Sequence, residues 1–77
     1  MIDRTQAVIQ TIKLVIEDNK EIVERINLAI KRAIEDRQFS VIVQEKVPFA
    51  VSKVFEYYGF KVFLFCDKIE IYWWDAW

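Results

Sequence analysis

Seventy-seven residues allow one small domain, and 11 Lys and Arg against 12 Asp and Glu leave a net charge of −1. With no histidine, one cysteine and one glycine, the chain can build no Ser-His or Cys-His nucleophile, intrachain disulfide, zinc cluster or glycine-rich phosphate loop. The near-neutral balance gives no basic footprint for duplex nucleic acid and no strongly acidic surface. No apolar run reaches the roughly 18 residues of a membrane span. Met1-Ile2-Asp3-Arg4 also lacks the apolar core of a signal peptide, so neither a membrane nor export is expected. One cysteine fits a reducing, cytoplasmic setting. What remains is an excess: 55% of residues are apolar, in a chain short enough to bury only about 60% of its unfolded surface.

From Thr5 to Arg37 there is neither Gly nor Pro, and apolar residues recur at helical spacing. With Ile9 at heptad position a, the a set is Ile9, Ile16, Val23 and Ile30. The d set is Ile12, Asn19, Ile26 and Ala33, and the g set is Val8, Val15, Ile22 and Ala29. At about 100° per residue these and Ile34 fall within an arc of about 160°. Two readings of the segment 17–20 compete. One is a hinge, with Asp18 capping a second helix and Glu21 closing a capping box. The other is a continuous helix over 5–37, which the shared phase of the two halves favours. Asn19 then sits inside the stripe, where a polar residue costs stability but fixes register.

Residues 39–45 predict a strand with Phe39, Val41 and Val43 on one face. A helix over 47–58 follows, with Pro48 in its first turn and Gly59 and Phe60 as the C′ and C″ residues that end it. Residues 60–66 and 69–74 read as a hairpin turning at Asp67-Lys68, which pairs Leu64 with Ile71 and Phe63 with Tyr72 and sets Cys66 on the core side. The expected class is α+β in a single domain, 1–77. A long N-terminal amphipathic helix leads into β-α-β-β, with a three-stranded sheet covered by helices on one face.

One small core does not need all of this apolar surface. The second sheet face carries Phe63, Phe65, Tyr72 and Trp74, with Ile42 beside them and Trp77 extending it; left bare, such a patch is a binding site or an interface between copies. A helix of about 48 Å outruns strands of about 20 Å. The stripe of Val8, Ile9, Ile12, Val15, Ile16, Asn19 and Val23 is therefore expected to overhang and to pair with other copies as a coiled coil. β-branched residues at a and d favour a trimer or tetramer over a dimer. Carboxylate pairs such as Glu17/Asp18 lie on the polar helix face, with Glu21–Arg25 and Arg32–Asp36 as i,i+4 pairs. No base accompanies them, so no catalytic residue, metal or cofactor is expected. Arg25, Lys31, Arg32 and Arg37 are the side chains that could meet the phosphates of a small nucleotide held between subunits.

The stretch 26–73 carries Ala29-Ile30, Ala33-Ile34, Phe39-Ser40-Val41, Val51, Phe55, Gly59-Phe60-Lys61-Val62, Ile69 and Ile71-Tyr72-Trp73. Its layout resembles that of small α-β-α-β-β proteins encoded by tailed bacteriophages, over about two thirds of the chain. Such proteins often have Gly where this chain has Arg37. The resemblance implies a phage-encoded protein in the host cytoplasm that works by binding. It would inhibit a host defence system or host enzyme, sequester a signalling nucleotide, or support virion assembly.

Overall fold

The computed structural model describes residues 1–74. Its elements are α1 (Arg4–Asp18), α2 (Lys20–Glu35), β1 (Ser40–Val43), α3 (Phe49–Tyr57), β2 (Lys61–Leu64) and β3 (Ile69–Tyr72). The class is α+β, as the alternation of periods predicts. The three strands and the helix between the first two fall inside the expected ranges, shorter than expected at one end or both.

The long helix is broken. Asn19 leaves helical geometry at φ −125°, ψ 32°, between α1 and α2. Shared phase could not reveal this, because one non-helical residue still advances the chain by about one position and leaves the stripe in register. The capping box does not form: α2 starts at Asn19 with no side-chain cap bond. Instead Asn19 looks backwards, its Nδ2 donating to the Val15 carbonyl at 2.9 Å. The break lets α2 lie against the sheet while α1 reaches α3.

The sheet runs β1-β3-β2, with β3 antiparallel to both neighbours. β1, α3 and β2 thus form a βαβ crossover with β3 inserted between its strands. The central position of β3 explains why Ile69 and Ile71 are wholly buried. They meet Val23, Ile26 and Ile30 of α2, with Val47, Val51 and Phe55 around the start and middle of α3. At 25 cal/mol per Å², burying one such side chain contributes about 1.5–3 kcal/mol.

The hairpin register differs from the expected one by two residues, pairing Phe63 with Glu70 and Leu64 with Ile69. Phe65 N–H donates to the Lys68 carbonyl at 2.9 Å, so the turn is Cys66-Asp67. A shift of two preserves the faces. It does move Cys66 out of the core side to an exposed turn. Pro48 likewise stands just outside α3 at the N-cap, φ −58° and ψ 142°, not within its first turn. Phe39 departs from the core face too, exposed and tilted against Trp74 at 4.3 Å between ring centroids.

α2 and α3 end by the same device. Gln38 N–H bonds the Ala33 carbonyl and Arg37 N–H that of Ile34; Phe60 N–H bonds Phe55 and Gly59 N–H bonds Glu56. Each is a Schellman motif. Gly59 takes the left-handed position at φ 97°, and in the other motif Arg37 takes it at φ 63°. Phe55 and Phe60 supply the accompanying apolar contact, edge to face at 6.1 Å. Among the described residues no helix is long and apolar enough to cross a membrane.

Candidate functional site

Alternation along the strands sorts the side chains of the sheet. Val62, Leu64, Ile69 and Ile71 face the helices; Phe63, Glu70 and Tyr72 face away, joined by Ile42 of β1 and by Phe65 and Trp74 just beyond the strand ends. The helices pack on the inner side only, so Phe63 is 53% exposed, Ile42 50% and Trp74 39%. Of the predicted aromatic set, Phe63, Phe65, Tyr72 and Trp74 are brought onto one side of the sheet. Trp77 lies outside the described residues.

The patch is ordered by its own contacts. Phe63 meets Tyr72 edge to face at 5.7 Å, diagonally across the hairpin. Phe39 and Trp74 make a second pair at the end of β1. Lys68 Nζ sits 4.9 Å from the Phe65 ring centroid, a cation–π contact. Aromatic pairs of this kind contribute about 0.5–1.5 kcal/mol beyond area burial, which holds the rings in a fixed relief. In the middle stands Glu70, half-buried, with Ile42 and Phe63 as its register neighbours on either side. A carboxylate framed by apolar groups is poised for a cation or hydrogen-bond donor from outside.

The helical set is divided between inside and outside. Ile12 and Val23 are buried, Val15, Ile16 and Asn19 are half-buried, and only Val8 and Ile9 reach the surface. Ala7, Val8, Thr11 and Ile12 of α1 face Lys53 and Tyr57 of α3 across an open hollow of about 290 Å³. The protomer thus uses for its own docking most of the stripe that the sequence assigns to neighbouring copies.

The four basic residues do not converge. Arg25 makes a two-pronged ion pair with Glu45, with Nε 3.1 Å from Oε2. That hydrogen bond raises the guanidinium above its ordinary value, burial opposing it and the charges of Glu45 and Glu21 adding to it. The expected Glu21–Arg25 pair therefore gives way to a contact that crosses from α2 to the loop after β1. Arg37 Nη1 donates to the Glu35 carbonyl. Arg32 lines a groove beside β1, while Arg25 lines a separate hollow with Glu17, Asp18 and Glu21; Lys31 is exposed on α2 and lines neither.

Two contributors were not legible beforehand. Phe39 sits at a strand end, where alternation no longer dictates the side. Glu70 becomes central only once β3 is known to be the middle strand. No family model, curated protein or solved structure matches the chain.

Proposed function

We propose that this is a non-enzymatic binding protein that assembles with copies of itself and acts by holding a partner protein, in fixed ratio, on the outer face of its sheet. One observation carries the reading: Phe39, Ile42, Phe63, Phe65 and Trp74 lie exposed on the helix-free side, ordered together with half-buried Tyr72. Aromatic residues concentrate binding energy at protein interfaces, about 2 kcal/mol or more for a good anchor. Glu70 at the centre asks for a Lys or Arg on the apolar surface that docks there. The resemblance to small tailed-phage proteins directs this proposal to a host defence protein or host enzyme as the partner, inhibited in the host cytoplasm. Dispersal of Arg25, Lys31, Arg32 and Arg37 speaks against nucleotide capture by that set within one protomer.

The test is retention from bacterial lysate on the immobilised protein, with Leu28→Lys as a control on the remote face of α2, where Leu28 is exposed among charges. Wild type and control should both hold the same host protein at a fixed molar ratio. Assembly with no host protein retained would replace this reading by a structural role in which the oligomer itself is the function. Saturable stabilisation by a nucleotide, read as a melting temperature that rises with ligand concentration, would replace it by sequestration.

A further inference from the structure

We propose that two copies of this chain join through the edge of β1 that no other described strand covers, antiparallel about a two-fold axis at Val41. The inference rests on the self-assembly proposed above and gives it a surface. Trp73 N–H donates to the Phe39 carbonyl at 3.1 Å. Hydrogen-bonded and non-bonded pairs alternate along an antiparallel ladder, so Val41–Ile71 and Val43–Ile69 are the bonded pairs that follow. The amides and carbonyls of Ser40 and Ile42 consequently point away from β3, toward the open edge. On β2 the Phe65–Lys68 bond sets the opposite phase, so β3 serves both neighbours with alternate residues.

Natural edges are blunted by lysine, proline or a bulge. Ser40-Val41-Ile42-Val43 has no charge and no proline, whereas the other edge begins with Lys61. A two-fold axis at Val41 places Ser40 opposite Ile42 of the second copy, and each such pair exchanges both of its outward backbone bonds. The edge is its own complement.

The helix beside it is self-complementary as well. α2 and β1 enclose a groove lined by Ala29, Arg32, Ala33 and Asp36 on one side and Ser40 and Ile42 on the other. Alanines four residues apart leave room for a second helix to come close. Arg32 and Asp36, also four apart, enter no ion pair among the described residues. The same axis runs α2 antiparallel to its copy, so Arg32 of each chain faces Asp36 of the other. Opposite charges meet in reversed order, as an isologous contact requires. The product joins two three-stranded sheets into one, with helices on one side and both aromatic patches continuous on the other.

Light scattering on the purified full chain tests this, with Ile42→Pro as the first variant. Proline removes an outward N–H and no bond to β3, and strand edges accept it where the N–H faces solvent. Wild type at about 100 µM should weigh twice the 9.3 kDa chain, or an even multiple of it; Ile42→Pro should weigh one chain with an unchanged circular dichroism spectrum. Should Ile42→Pro fail to fold, charge reversal decides. Arg32→Asp and Asp36→Arg should each weaken association about tenfold or more, and the double reversal should restore it. A wild-type mass of one chain overturns both this inference and self-assembly. An odd multiple, or assembly untouched by Ile42→Pro and by the single reversals but dispersed by Val8→Glu with Ile9→Glu, overturns the β1 edge alone and leaves self-assembly standing.

Discussion

Two residues hold the same left-handed backbone position at helix ends, and only one of them is glycine. Arg37 at φ 63° carries a Cβ where that region costs an L-residue about 1–2 kcal/mol, offset in part by its bond to the Glu35 carbonyl. Arg37→Gly should therefore stabilise the protein by about 1 kcal/mol, raising the melting temperature by about 4–8 °C for a domain of this size. Gly59→Ala should do the reverse by a similar amount. Nothing lies within 4 Å of a Cβ built at Gly59, so the cost there is purely conformational. Calorimetry on the two variants gives opposite signs if the caps are as described. Gly59 and Phe60 were legible because glycine followed by an aromatic residue, just past an apolar helix, spells a Schellman motif. Arg37 was not: its side chain says nothing of a left-handed backbone. Asp3 is a third cap, its Oδ1 accepting the Gln6 amide at 2.8 Å. Its removal in Asp3→Ala should cost about 1 kcal/mol, read by urea denaturation.

Among the elements, α1 has the weakest tie to the rest. Ile12 is its one buried residue, 8% exposed and turned to α3. Ile12→Ala should cost about 2 kcal/mol and raise amide exchange throughout α1 well before the sheet exchanges. Leu14→Ala, at a position 60% exposed, should change stability by no more than about 0.5 kcal/mol. Equal effects at the two sites would mean that α1 does not dock by this face. Element types were legible from period alone, 3.6 over residues 5–37 and 2 in the strands. The break was not, because what bends the chain at Asn19 is tertiary: α3 offers α1 a surface. Strand order was not legible for a related reason. Inward-facing residues fit the helices in any order, and the zero exposure of Ile69 and Ile71 is a consequence of β3 being central.

At the scale of the whole molecule, which measures 45 × 27 × 22 Å, the apolar excess divides between a core and a surface. The core takes Ile26, Val51, Ile69 and Ile71 completely. The surface keeps an ordered aromatic relief around Glu70. Most of that relief was legible, since a two-residue slip of the hairpin leaves every side chain on its own face; Phe63 and Tyr72 met diagonally instead of directly. Within the protomer Arg25 is engaged by Glu45 and Arg37 by the Glu35 carbonyl. The central claim is that the outer face works by binding and is not needed to hold the fold. The double variant Phe63→Lys with Tyr72→Lys separates the two roles in one measurement, complex formation with the retained host protein beside the melting temperature of the free chain. The variant should keep a melting temperature within about 4–8 °C of wild type and lose partner affinity at least about a hundredfold. Unchanged affinity with the fold intact would contradict it.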